Sequence, residues 1–199
     1  ALVSAGNTGA LMGLSKFNLR TLSGISRPAI ATTIPHANGE FVMLDLGANI
    51  ECNAENIIQF AIMGTEFAKI ILGKEKPTIG ILNVGTEQEK GKAVLQEASE
   101  YIKTSYLSNQ FRGFVEGSSI TNGVVDVVVT DGFTGNIALK TAEGIAKLCA
   151  FYIKRMFLDS LLGKISYLLV KNPLEQLKAK LDPRTRNGAL FLGLNGIVV

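Results

Sequence analysis

Two rhythms of apolar and polar residues alternate along the chain. Runs of six or seven residues, rich in apolar and β-branched side chains, occupy 28–34, 41–46, 78–84, 111–116 and 124–130, and each closes near Gly, Asn or Asp. Such runs predict extended strands. Around them, at 8–18, 54–72, 88–104 and 135–157, apolar residues return at three- and four-residue steps, the period of a helix with one buried face. Strands alternating with helices imply crossover units and a largely parallel sheet. The stretch Val124-Val125-Asp126-Val127-Val128-Val129 is almost continuously apolar, as a strand is when helices cover both faces of its sheet. The expected fold class is therefore α/β, a layered α/β/α arrangement. No internal repeat or low-complexity tract interrupts it. Near Arg155 the alternation stops and a helical stretch over 154–181 begins, so residues 1–199 are read as one domain carrying a helical extension.

Composition narrows the function classes. With 199 residues, 47% of them hydrophobic and 19% charged, the chain can bury a sizeable core and is not disordered. A net charge of only +3 gives no reason to expect nucleic acid as a partner. Cys52 and Cys149 stand far apart without metal-ligand spacing, so reduced cytosolic thiols are expected and no metal. No apolar run reaches the length of a membrane span, and the first residues lack the order of a signal peptide. The chain opens on Ala1-Leu2-Val3, like the middle of a strand, and ends on Leu194-Asn195-Gly196-Ile197-Val198-Val199, like a turn and the start of one. Both ends are read as truncated.

The loops carry the chemistry. Ser4-Ala5-Gly6-Asn7-Thr8-Gly9, Asp45-Leu46-Gly47-Ala48-Asn49, Asn83-Val84-Gly85-Thr86-Glu87 and Asp131-Gly132-Phe133-Thr134-Gly135-Asn136 each follow a predicted strand. In an open parallel sheet, ligands bind beyond the carboxyl ends of the strands. Glycine admits close backbone approach, and a following helix N-terminus offers N–H groups to an anion. Each such loop has a plain alternative as a turn, since Gly and Asn supply turn geometry anyway. None fits the Walker phosphate loop or the G-x-G-x-x-G fingerprint, which disfavours nucleotide hydrolysis and dinucleotide binding.

Six segments in order sharpen this: Ser-Ala-Gly-Asn-Thr-Gly-Ala-Leu-Met at 4–12, Gly-Ile-Ser-Arg-Pro-Ala at 24–29, Leu-Asp-Leu-Gly-Ala-Asn at 44–49, Gln-Phe-Ala-Ile-Met-Gly at 59–64, Leu-Asn-Val-Gly-Thr-Glu at 82–87 with Lys90-Gly91, and the run 126–136 with Leu139-Lys140 and Glu143-Gly144. They resemble the segments of bacterial PlsX-type phosphate acyltransferases over practically the whole chain. The resemblance implies an isocitrate/isopropylmalate dehydrogenase-like fold shared with phosphate acetyl- and butyryltransferases, and a homodimer. It implies transfer of a long fatty acyl group from acyl carrier protein to inorganic phosphate, with no cofactor. An Asp-Ala-Met-Gly-Gly-Asp-like motif upstream and an Ala-His-Gly-Ser-Ser-like motif downstream belong to the family and are not in this sequence.

Such a reaction needs phosphate held as nucleophile, donors for the tetrahedral oxyanion and stabilisation of the departing thiolate. No G-x-S-x-G elbow is present, and His36 is the single histidine, in a hairpin-like turn, which favours direct transfer over an acyl-enzyme. The candidate phosphate-binding set is Ser4, Gly6, Asn7, Thr8, Gly9, Asp45, Asn49, Gly85, Thr134, Gly135 and Asn136. Asn83, Lys90, Asp131 and Lys140 are the catalytic candidates, with the lysines as cations and Asp131 orienting them or managing a proton. Solvated helix positions and loop caps are the competing accounts of these residues.

The helical stretch places Lys154, Arg155, Lys164, Lys171, Lys178 and Lys180 against Asp159 and Glu175, while Phe157, Leu161, Ile165 and Leu168 recur at helical spacing. Lys164 with Phe157, Leu161 and Ile165 forms a candidate contact with an anionic membrane or with acidic acyl carrier protein. An ordinary dimer-packing helix is the alternative; the resemblance tilts the reading to a cytoplasmic protein held peripherally on membranes. Three rivals stay open: a short-chain transferase using coenzyme A thioesters, a metal- and NAD-dependent hydroxyacid dehydrogenase resting only on Asp45 and Asp131, and a non-catalytic phosphate- or acyl-binding domain.

Overall fold

Burial is concentrated where the predicted strands lie. In the computed structural model, which describes residues 1–4, 6–159, 161–181 and 188–199, the elements run α1 (Thr8–Leu19), β1 (Ala29–His36), β2 (Gly39–Leu44), α2 (Ala54–Ile71), β3 (Ile79–Asn83), α3 (Ala93–Thr104), β4 (Phe111–Glu116), a short 3-10 helix (Gly117–Asn122), β5 (Val127–Val129), α4 (Gly132–Leu158), α5 (Leu161–Leu181) and β6 (Leu190–Leu192). The strands form one six-stranded sheet in the order β4-β3-β5-β2-β1-β6.

The expectation of a largely parallel sheet holds for the inner part only. β4, β3, β5 and β2 pair in parallel, whereas β1 pairs antiparallel with both β2 and β6. The cause is connection length. His36 opposes Gly39, so only residues 37 and 38 join β1 to β2, enough for a hairpin and far too few for a crossover. The chain is thus an α/β fold built on a mixed sheet.

Two compact units divide the residues. The first, Ala1–Asn136 with Gly188–Val199, holds the sheet; the second, Ile137–Asn187, holds the rest of α4 and α5. In the first unit, Val42, Leu44, Ile79, Ile81, Val127 and Val129 share a core with Ile57, Phe60 and Ala61 of α2 and Leu95, Ala98 and Ile102 of α3. Phe41, Met43 and Val128, which alternate with them, are buried too, the sign of a sheet buried on both faces. Helix α2 starts where it does because Asn53 accepts from the Asn56 amide while the Asn56 side chain accepts from the Asn53 amide, a reciprocal cap. The chain's two ends meet: Leu2 bridges Val198 in parallel, and the Ser4 amide donates to the Val199 carbonyl at 2.9 Å.

Candidate active site

Because β3, β5 and β2 are adjacent and parallel, their carboxyl ends lie side by side, and the loops starting at Asn83, Thr130 and Asp45 emerge from one edge of the sheet. Two of these loops touch. The Gly132 amide donates to the Asn49 carbonyl at 2.7 Å, and the Asp45 amide donates to the Thr130 carbonyl at 3.0 Å. A Cβ at Gly132 would stand 2.6 Å from the Asn49 carbonyl oxygen, and one at Gly135 would collide with the Asp45 carbonyl. Only glycine lets the first turn of α4 approach the 45–49 loop this closely.

Asp45 organises that loop from within. It is fully buried, and its Oδ1 accepts from the amides of Ile30 (2.9 Å), Gly47 (3.2 Å) and Ala48 (3.0 Å). Its Oδ2 accepts from the Asn49 amide (2.7 Å) and side chain (2.9 Å). Asn49 spends its amide on Asp45 and on the Pro28 carbonyl at 2.8 Å. Both residues therefore shape the loop and point inward, since a buried carboxylate is tolerated only when it is bonded in this way. Asn136 lies against Gly47 and is exposed.

Asp131 has two tasks. Its Oδ1 accepts from the Thr134 amide at 2.7 Å, capping α4, so the helix begins three residues before its apolar pattern does. Its Oδ2 lies 3.3 Å from Lys92 Nζ. Lys92 was not singled out in the sequence, although it stands one residue beyond Gly91. The pair sits at a cleft of about 260 Å³ lined also by Ile50, Cys52, Val94 and Leu95. The Cys52 thiol is pushed up to about 11, first by burial and then by the Asp45 charge. It stays protonated near neutrality and is a poor nucleophile.

The third loop is held separately. Asn83 donates to the Lys90 carbonyl at 2.9 Å, and Gly91, at φ +88°, lies against the Asn83 side chain. Gly85 is buried beside Lys90 and Glu87. Lys90 Nζ pairs with Glu87 at 2.7 Å, a bond that raises the lysine and lowers the glutamate. Residues 84–92 are spent on this loop, which is why α3 starts at Ala93 and not at 88.

The remaining candidates make bonds of their own. Asn7 caps α1 by accepting from the Ala10 amide at 3.1 Å, and Ser4 Oγ accepts from the Gly6 amide at 3.1 Å. Thr8 and Gly9 form the exposed first turn, whose N–H groups have no partner inside a helix. Among the described residues no hydrogen bond or ion pair joins 4–9 to the three loops above. Lys140, in the second unit, pairs with Glu143 at 3.0 Å. No group of three His, Cys, Asp or Glu side chains among the described residues is placed to hold a metal ion.

In the second unit, Phe157 turns towards Tyr167, with ring centroids 5.9 Å apart. Lys164 and Ile165 are exposed, and Leu162, Leu168 and Leu169 are as well. The side chain of Leu161, like those of Lys178 and Lys180, lies outside the described residues. No helix among the described residues is long and apolar enough to cross a membrane.

The chain has relatives among known proteins. The family model described as "Fatty acid synthesis protein" matches residues 1–199. The chain is 57% identical over 198 residues to a "Phosphate acyltransferase" of Rhodospirillum centenum, covering 100% of this chain and 56% of that protein. A "Phosphate acyltransferase" of Paramagnetospirillum magneticum is 56% identical over 198 residues, with coverage of 100% and 56%. The chain thus spans about half the length of the curated relatives it matches. Among solved structures, a phosphotransacetylase from Streptococcus pyogenes superposes with a TM-score of 0.63 at 18% identity, covering 98% of this chain and 55% of that one. At that identity the likeness shows the fold alone.

Proposed function

We propose, because the chain belongs to the fatty acid synthesis protein family, that the protein it represents is a phosphate acyltransferase moving a long-chain fatty acyl group from acyl carrier protein to inorganic phosphate. The observation that carries the reading is the alignment of three parallel strand ends, whose loops at 45–49, 83–91 and 131–136 open on one edge of the sheet. The exposed Asn136 offers a neutral amide beside that edge, and Lys92, held by Asp131, supplies a cation there. Ser4, Gly6, Asn7, Thr8 and Gly9 offer a second set of donors at the start of α1.

In the reaction a phosphate oxygen attacks the thioester carbonyl, the C–O bond forms, and the tetrahedral oxyanion collapses with cleavage of the C–S bond. The thiolate leaves and takes up a proton. Catalysis comes from orientation and preorganised donors. Lys92 and Lys90 serve as cations, Asn83 holds the Lys90 loop, and Asp131 fixes Lys92 and the first turn of α4. The high Cys52 value fits direct attack.

The layered isocitrate dehydrogenase-like architecture, the homodimer and peripheral membrane attachment through Lys164, Ile165 and their apolar neighbours belong to the same proposal. With the full-length protein, thiol release should require both long-chain acyl carrier protein and inorganic phosphate. Release from acetyl coenzyme A alone would instead make it a short-chain transferase, and release from neither would leave a binding protein.

A further inference from the structure

The segment 24–29 is held by more polar contacts than a surface turn needs. The Ser26 amide and hydroxyl both donate to Gln59 Oε1, at 2.9 and 2.8 Å. Asn56 donates to Ser26 Oγ at 2.9 Å, and Asn49 donates to the Pro28 carbonyl at 2.8 Å. Gln59, Asn56 and Asn49 are all buried. Burying three amides is costly unless each is bonded, and here their bonds converge on the residues either side of Arg27. Pro28 further fixes the backbone.

What this holds in place is a cation over a groove. Arg27 and Lys16 line an open groove of about 460 Å³ together with Met12, Pro28, Ile50 and Glu51. The Arg27 guanidinium donates to the Glu51 main-chain carbonyl at 3.3 Å, and Lys16 donates to the Ser26 carbonyl at 3.1 Å. Among the described residues neither forms an ion pair. Most of the five guanidinium and three ammonium donors are left for a ligand. Glu51 is the lining's one carboxylate, so positive charge prevails.

Beside these cations, Met12, Pro28 and Ile50 add apolar surface to the lining, which suits a ligand with a chain attached to its anionic group more than a bare ion. We propose that Lys16 and Arg27 form an anion subsite for the phosphodiester of the acyl donor's pantetheine arm, whose chain lies along Met12, Pro28 and Ile50. The inference rests on the acyl-transfer reading above. The groove shares Ile50 and Glu51 with the cleft that holds Lys92 and Asp131, so the arm would enter next to the proposed phosphate site.

The test uses the full-length protein. Calorimetric titration with 4′-phosphopantetheine and with pantetheine should show the phosphorylated compound binding about tenfold tighter, as expected of charge-assisted bonds. Arg27→Gln should abolish that difference and Arg27→Lys retain part of it. In turnover, Arg27→Gln and Lys16→Gln should each raise KM for the acyl donor about tenfold while leaving KM for inorganic phosphate and the melting temperature unchanged. Equal binding of the two compounds by the unmodified protein would overturn the subsite, as would a rise confined to KM for phosphate, which would give the cations to the nucleophile. Turnover unaffected by either variant would overturn the subsite and leave the acyl-transfer reading standing. Discrimination between the compounds without any turnover would keep the subsite and remove the acyl-transfer reading.

Discussion

The two units use apolar residues in opposite ways. In the first, Phe41, Val42, Met43 and Leu44 are four successive residues of one strand with at most 1% exposure each. In the second, Ile165, Leu168 and Leu169 are 61%, 74% and 81% exposed, on a helix that also carries the exposed Lys164. By periodicity alone α5 resembles α2, since both repeat apolar residues at helical steps. The difference is that α2 covers the sheet, whereas α5 leaves these residues exposed, the kind of surface through which the proposed membrane contact would act. Stability should therefore reside in the first unit, and attachment in the second.

Core truncation should separate the units most sharply. Phe60→Ala, at a fully buried position of α2, should cost about 3–5 kcal/mol in urea unfolding. A cost below about 1 kcal/mol would mean that α2 is loosely packed. Next comes Asp45→Ala, which strands five donors and should cost about 2–3 kcal/mol, with loss of phosphate affinity as the 45–49 loop relaxes.

A smaller effect is expected at the opposite end of the sheet. Burial alone would raise the Asp126 carboxyl, but bonds from Lys74 and from the Thr78 amide and hydroxyl outweigh it and hold the group below its ordinary 3.8. A depressed carboxyl stabilises the fold above its unfolded value and loses that contribution as pH falls through the folded one. Asp126→Asn should thus cost about 1 kcal/mol or less at pH 7, and the difference from the unmodified protein should shrink below about pH 4. A constant difference across that range would show that the carboxylate charge contributes nothing.

Smallest per residue should be the effect on stability of replacing Ile165, Leu168 and Leu169 by Ser, at about 0.5 kcal/mol or less for each exposed site. Co-sedimentation with anionic vesicles should nevertheless fall. Retained co-sedimentation would rule out the membrane role of this face.

These contrasts also define what could be read in the sequence. The inner strands, α1 and α2 follow from periodicity to within two or three residues, and the turn beside His36 follows from the Ala37-Asn38-Gly39 run. β6 did not, because Leu190–Leu192 is too short to show a pattern and its partner Ala29–Ala31 is remote in the chain. The convergence of 45–49 with 131–136 was legible as strand-end punctuation. The inward aim of Asp45 and Asn49 was not, since a carboxylate that caps and one that binds look alike until its donors are known. Lys16, Arg27 and Lys92 escaped notice for a related reason: single cations acquire meaning only from the groove or carboxylate that the fold sets against them.

The central claim is that phosphate itself is the nucleophile. The most direct measurement mixes full-length protein with a stoichiometric amount of long-chain acyl carrier protein in phosphate-free buffer and follows free thiol in a single turnover. No thiol should appear until inorganic phosphate is added, and acyl phosphate should then form in equal amount. A burst of one thiol per active site without phosphate would reveal an acyl-enzyme and contradict the account.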